Sequence, residues 1–342
     1  MASITKTAHN KHLVRIRITG FPVISKQFDR LKDAQVFAKK TEADMLRGRF
    51  VDLRPAEQTT LRIIIGEYLL AETVLKRGAA EETLRLQKIS RDGVADYALA
   101  NLTAKAARDY RDRRLKQVSA ATVIRELNLL AVVVKWAVRE LAMSLPMNPF
   151  SSAYCPRPRQ PAGRERRFVG DEETRLFAAL AQCRNQNIPK AVRFLLLTAC
   201  RRGEMLNLRW SNIDFDHSVV YLNAMETKTG KSRSVPLPPP AMVLLKSLER
   251  SGDQNTTVFG LTEESFDLGV RRAIQRAKIV DLRVHDLRHE AISRAAESGL
   301  FNLVELCAIS GHGDTRMLAR YTHILPNSLS KKMAEADYAV NH

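Results

Sequence analysis

A chain of 342 residues, 45% hydrophobic and 27% charged, has the composition of a soluble globular protein and the length for two or three domains. Its 55 Lys+Arg against 37 Asp+Glu leave a formal charge of +18, which suits a polyanion, nucleic acid before others, although a merely basic or ribosome-associated protein carries the same balance. No apolar run is long enough to span a bilayer, the N-terminal stretch has no apolar signal core, and the four scattered cysteines form no C-x-x-C pair, so reduced thiols in a cytoplasmic setting are expected.

Taken in chain order, Val14, Ile16 and Ile18 alternate with Arg15 and Arg17, the period-two signature of a strand with one basic face. Gly20-Phe21-Pro22 marks a turn, Val23 to Phe28 reads as a second strand, and Ala34, Phe37, Ala38, Thr41 and Met45 recur at helical spacing. Residues 1–55 are therefore expected to form a small sheet on one helix, with Arg15 and Arg17 available to DNA. The first 60 residues hold 12 Lys/Arg against 6 Asp/Glu, so this unit shares the basic excess.

Residues 56–150 read as all-helical. Leu61, Ile64, Ile65, Tyr68 and Leu69 make one apolar stripe, and Val94, Tyr97, Ala98 and Leu102 suggest another. Thr103 is placed to cap a helix carrying Arg108, Arg111, Arg113 and Arg114. Ser119 or Ala120 opens a helix with Val123, Leu127, Leu130, Val134 and Val138 inward and Arg125 and Lys135 outward, and Pro146 and Pro149 stop it. Arg111, Arg114 and Arg125 are the candidate phosphate contacts here. Residues 151–168 then hold three prolines, Gly163 and a cluster of arginines, which exclude a regular element. This basic linker either follows a DNA backbone through Arg164 and Arg166 or is a solvated tether.

The third segment, 169–326, mixes types. Helices are expected from Asp171, over Pro189 to Cys200, and from Pro240, Glu264, Asp286 and Asn302, with short strands at Val219 to Leu222 and Ser232 to Leu237. A last helix, capped by Asn327 or Ser328, carries Leu329, Met333 and Ala336 on one stripe in the tail 327–342. The chemistry-bearing residues lie along this segment. Glu204, three residues after Arg201, can hold that guanidinium for two phosphate oxygens, although a purely structural ion pair explains the motif alone. His285-Asp286-Leu287-Arg288-His289 places an imidazole and a guanidinium on one helical face, a phosphate clamp with a proton-active partner. Lys228, rivalled by Lys231, sits in a hairpin from which an ammonium reaches a leaving oxygen. Gly311-His312-Gly313 precedes Arg320-Tyr321-Thr322-His323, where Tyr321 lies in polar company. A phenol with an ordinary pKa of roughly 10 needs a base or a cationic pocket to attack at neutral pH. Arg201, Lys228, His285, Arg288, His312 and Tyr321 thus form a set suited to phosphodiester attack without a metal or any other cofactor.

These motifs resemble the tyrosine recombinase (phage integrase) family. The resemblance runs from about Arg166 to Tyr321, through the R-R-G-E box, the T-K-T-G-K-S-R hairpin, H-D-L-R-H, the S-G-H triplet and the tyrosine nine residues after His312. The helical segment 56–150, with Ser119 to Leu127, looks like the family's SAM-like core-binding domain, and the N-terminal unit looks like an arm-binding domain. Ala199 departs from the pattern, standing where many members have glycine; alanine there costs little unless the residue needs a positive φ. The resemblance implies a multidomain, mainly α protein with small sheets and a mixed α+β catalytic domain. It implies strand exchange through a 3′-phosphotyrosyl intermediate and a Holliday junction, with Tyr321 as nucleophile, Arg201 and Arg288 on the non-bridging oxygens, Lys228 protonating the 5′-oxygen, and His285 and His312 moving protons. The expected partners are double-stranded core and arm attachment sites, further copies of the chain in a homotetramer on DNA with the tail docking on a neighbouring protomer, and DNA-bending accessory proteins, with no membrane. Integration and excision of a prophage or genomic island is favoured over dimer resolution, type IB topoisomerase-like relaxation and non-catalytic regulation of excision.

Overall fold

The computed structural model describes residues 2–48, 50–161, 164–224, 230, 232–249, 252–316, 318 and 334. The chain divides into two compact units, residues 1–162 and 163–342.

The first unit opens with an antiparallel sheet of β1 (Ala2–Lys6), β2 (His12–Ile16) and β3 (Ile24–Phe28) in that order, packed on α1 (Leu31–Leu46). Val14 and Ile16 are fully buried beneath Ala34, Ala38 and Met45, and the alternation leaves Arg15 exposed. Arg17 is exposed just past the end of β2. β1 carries no strand signal of its own: its lone large apolar residue, Ile4, becomes a strand residue only through pairing opposite Val14.

The helical part of this unit comprises α2 (Arg54–Gln58), α3 (Leu61–Ala71), α4 (Ala79–Ser90), α5 (Ala104–Leu115) and α6 (Ala120–Glu140). Thr60, Thr103 and Ser119 each accept a backbone N–H of the first helical turn, from Ile63, Ala106 and Thr122. Their buried faces meet around Tyr68, Tyr110, Leu127 and Trp136, the rings of Tyr68 and Trp136 standing edge-on at 5.5 Å. Two expectations are corrected. The stripe through Val94 and Leu102 is no regular helix but two 3₁₀ turns, Gly93–Asp96 and Leu99–Asn101. Hydrogen bonds from Leu61 N–H to the Tyr97 carbonyl and from Leu99 N–H to the Thr59 carbonyl pull the intervening backbone into an extended bridge. Val138 faces outward at 42% exposure, because after Val134 the 3.6-residue period carries the inward face to Ala137.

Residues 151–161 and 164–168 form no helix or strand, as their prolines predict, yet neither stretch is an open tether. Cys155 is buried in the core of the first unit, and Arg157 donates to Asn128 and to the carbonyls of Phe150 and Cys155. Residues 164–168 are bound instead to the second unit, through contacts described below.

The second unit contains α7 (Glu172–Leu180), α8 (Asn187–Thr198), α9 (Arg202–Leu206), the antiparallel sheet β4 (Ile213–Asp214), β5 (Val219–Leu222) and β6 (Arg233–Pro236), then α10 (Pro239–Lys246), α11 (Glu263–Arg276), α12 (Val284–Glu297) and α13 (Leu303–Ser310). Its main core is built on the apolar face of α8, where Ala191, Val192 and Phe194 are fully buried. A smaller cluster of Ala199, Ile292, Ala296, Leu306 and Leu318 joins the end of α8 to α12 and α13. Among the described residues, no helix is long and apolar enough to cross a membrane.

Candidate active site

Two helix ends create the site. A helix leaves its last carbonyls without intrahelical donors, and both α8 and α13 end on a left-handed residue that turns those carbonyls toward a common cleft. At the end of α8 this residue is Ala199, with φ 53°; at the end of α13 it is Gly311, with φ 66°. Positive φ is thus required where alanine replaces the expected glycine. The strain, about 1 kcal/mol or slightly more, is opposed by burial of the methyl group in the smaller core, worth about 0.8 kcal/mol.

Arginine side chains satisfy the exposed carbonyls. Arg288, on α12, donates through Nη1 to the Ala199 carbonyl and through Nη2 to the Ser310 carbonyl. Arg201, the N-cap residue of α9, donates through Nη2 to the Gly311 carbonyl at 2.6 Å and through Nη1 to Glu204 Oε1 at 2.9 Å. Glu204 Oε2 also accepts the Arg201 backbone N–H, so one carboxylate fixes both the main chain and the side chain of Arg201. The pairing read from the sequence as either functional or structural is therefore structural in a way that aims the guanidinium.

A third guanidinium completes the frame. Arg233, the first residue of β6, donates to Glu204 Oε2 at 2.7 Å and to the Ile309 carbonyl at 3.0 Å. It lies so close to Gly311 that a Cβ built there would come within 2.7 Å of Arg233 Nε, so both the backbone conformation and the space demand glycine at 311. Arg233 stands within the hairpin motif seen in the sequence but was not singled out as a site residue. Nothing in the local spacing reveals that its partner lies 29 positions away.

The electrostatics follow from this arrangement. Burial would raise the Glu204 carboxyl, but hydrogen bonds and charge from Arg233 and Arg201 outweigh it and hold the group below the usual carboxylate range. Burial and the nearby Arg201 charge push the Arg288 guanidinium down to about 10, still well above neutral pH, so it stays charged. Two of the three guanidinium groups, those of Arg201 and Arg233, share the Glu204 carboxylate, and the bonds of Arg288 run to neutral carbonyls. The surplus positive charge faces an open cleft of about 430 Å³ lined by Cys200, Arg201, Arg202, Gly203, His285 and Arg288. A phosphodiester passing to a dianionic transition state is the charge distribution such a cleft stabilises.

The histidines occupy the same neighbourhood. His285 lines the cleft one turn before Arg288, and its ring stands edge-on to His289 at 4.8 Å. His312 Nδ1 lies 2.7 Å from Ser310 Oγ, whose single proton is directed 2.6 Å to the Leu306 carbonyl. The hydroxyl therefore accepts from Nδ1–H. Arg201, His285, Arg288 and His312 are thus brought together by α8, α9, α12 and α13. Lys228, its rival Lys231 and Tyr321 lie outside the described residues, as do Arg320, His323 and all of the tail except Ala334.

The candidate DNA-contacting arginines separate into two groups. Arg15, Arg17 and Arg125 are exposed. Arg114 is corrected to a core residue at 6% exposure: its guanidinium bonds both oxygens of Glu126, which also accepts from Tyr110 Oη at 2.9 Å. Arg111 is held by Asp112 and the Pro156 carbonyl, Arg164 by Asp286 and Asp281, and Arg166 by Glu172 and the Val280 carbonyl. Charge clustering in the sequence did not distinguish solvent-facing arginines from those consumed by internal carboxylates.

Residues 166–328 match the phage integrase family. The chain is 38% identical over 279 residues to the shufflon-specific DNA recombinase of Escherichia coli, spanning 79% of this chain and 70% of that protein. It is 26% identical over 239 residues to the integrase of Salmonella phage P22, covering 65% of this chain and 59% of that one. The same fold is found in a lambda integrase dimer bound to a COC′ core site, with a TM-score of 0.64, 18% identity and 93% of each chain covered. The chain belongs to the phage integrase family and is a site-specific tyrosine recombinase, an enzyme of DNA strand breakage and rejoining.

Proposed function

We propose that this recombinase opens DNA by attack of the Tyr321 hydroxyl on a phosphodiester, forming a 3′-phosphotyrosyl bond as the 5′-oxygen leaves. The observation that carries this reading is the convergence of Arg201, Arg288 and His285 on one cleft beside His312, with a surplus of positive charge. Arg201 and Arg288 hold the non-bridging oxygens, Lys228 or Lys231 protonates the leaving 5′-oxygen, and His312 Nε2 and His285 exchange protons with the attacking and leaving groups. The phosphotyrosine conserves the energy of the bond, and the 5′-hydroxyl of a partner strand then reverses the step through a Holliday junction.

The remaining parts take roles in keeping with this chemistry. Residues 56–150 grip the core site, with Arg125 as a phosphate contact, and the exposed Arg15 and Arg17 of residues 1–55 contact arm sites. Four protomers act together in the cytoplasm, with the tail 327–342 docking on a neighbour and a DNA-bending protein assisting. The element served is a prophage or genomic island. A second reading, favoured by the 38% identity to the shufflon-specific recombinase, is rearrangement of segments within one molecule.

The test uses suicide duplexes carrying candidate junction sequences of the element. The wild type should give a covalent adduct resistant to denaturing gels, whereas Tyr321→Phe should bind the same DNA and give none. Adducts persisting in that variant would refute the nucleophile. Site pairs placed on one plasmid or on two separate ones distinguish the readings, since the first requires efficient joining of separate molecules.

A further inference from the structure

Among the described residues, an extensive set of ion pairs lies on the opposite side of the helix that supplies two of the cleft's residues. On α12, Asp286, Glu290 and Glu297 fall within a stripe roughly 40° wide, and His285 and Arg288 fall on another whose centre is about 150° away. The carboxylate stripe is covered by residues 164–168, the first described residues of the second unit.

The cover is specific. Arg164 Nε donates to Asp286 Oδ1 at 2.8 Å and its Nη2 to Oδ2 at 2.8 Å, while Nη1 reaches Asp281 at 2.7 Å. The Asp286 side chain is only 1% exposed, and its Oδ2 also accepts the Arg283 backbone N–H that begins α12. Arg167 bridges Glu290 at 3.1 Å and Glu297, and the Phe168 N–H donates to Glu290 at 3.3 Å. Asp286 resists displacement from Arg164, because losing that arginine strands a buried charge away from water, whereas Glu290 is gripped from two sides, by Arg167 and by Arg294 at 2.8 Å. Every path along the chain from the first unit to the active site passes through these residues.

We propose that residues 164–168 form a positioning strap for α12: Arg164, through Asp286, and Arg167, through Glu290, hold His285 and Arg288 in the register that cleavage requires. Loosening the strap therefore lowers the rate of cleavage rather than the tightness with which DNA is bound. This assignment of Arg164 and Arg167 as positioning residues rests on the phosphotyrosyl reading for its kinetic consequence and on geometry alone for its structural one.

The experiment compares the full-length wild type with Arg164→Gln and Arg164→Lys by two measurements. Hydrogen–deuterium exchange should accelerate at least tenfold over residues 285–289 in Arg164→Gln, with α8 unchanged and with recovery in Arg164→Lys. Single-turnover cleavage of the suicide duplex should slow by 10- to 100-fold in Arg164→Gln at saturating DNA. Half-saturation should stay within twofold, and the lysine variant should regain most of the rate. Unchanged exchange over residues 285–289 overturns the strap, as does faster exchange with an undiminished cleavage rate or a loss confined to half-saturation. If the wild type itself forms no adduct, the phosphotyrosyl reading fails, and the exchange result alone decides whether the strap holds α12. Should Arg164→Gln not fold, Arg167→Gln is measured in the same way, with Arg167→Lys as the recovering variant and exchange followed over residues 288–294.

Discussion

Glu204→Gln isolates the electrostatic design of the cleft, because it keeps the shape of the side chain and removes its charge. Glu204 is 3% exposed and accepts from Arg233 at 2.7 Å and from Arg201 at 2.9 Å twice, through the side chain and the backbone. Losing one partner of a buried ion pair costs about 3–5 kcal/mol. The Arg201 and Arg233 side chains keep 20% and 11% exposure, so the lower end, about 3 kcal/mol, is expected. For a unit of this size that lowers Tm by roughly 6–12 °C. The transition can be followed through Trp210 fluorescence in a Trp136→Phe background, since the chain has two tryptophans. A bound phosphate group replaces the missing negative charge, so duplex DNA or sulfate should raise the Tm of the variant more than that of the wild type. The pH dependence has a definite sign. The folded carboxyl sits below its unfolded value, so its stabilisation is complete above the ordinary carboxylate range and is lost as pH falls through the folded value. The wild-type advantage over Glu204→Gln should therefore be full at pH 7 and shrink in acid. A variant that melts within 2 °C of the wild type, or gains no extra stability from anions, would refute the claim that this carboxylate balances the arginines.

Ser310→Ala removes the acceptor of His312 Nδ1–H and should lower the single-turnover cleavage rate by about 10-fold or more while leaving DNA half-saturation nearly unchanged; equal rates would show that the imidazole needs no such orientation. Ala199→Gly exchanges left-handed strain for lost methyl burial and greater chain entropy, so its stability by denaturant titration should stay within about 1 kcal/mol of the wild type. Cleavage should persist in excess EDTA, because protein cations provide the charge compensation; a strict magnesium requirement in a suicide-substrate assay would contradict that account.

The chemistry of this protein was legible in its sequence because the reaction demands particular residue types at short spacings. His285 and Arg288 share a face by helix geometry alone, and α8, α11 and α12 were each visible within a few residues from apolar periodicity and stop signals. Caps such as Thr103 and Ser119 were legible for the same reason, since donor and acceptor lie within four residues. Tertiary structure decided the rest wherever a partner lay far along the chain. β1 depends on Val14 and its neighbours, the Val94–Leu102 stripe yields to bonds from residues 59 and 61, and Arg233 has meaning only beside Glu204 and Gly311. The arginines show the limit most clearly. Sequence assigns each one the same charge, and only folding shows that Arg15, Arg17 and Arg125 face solvent while Arg114, Arg164 and Arg166 are bound by internal carboxylates. The energy of an ion pair depends on distance and burial, and neither is local in sequence.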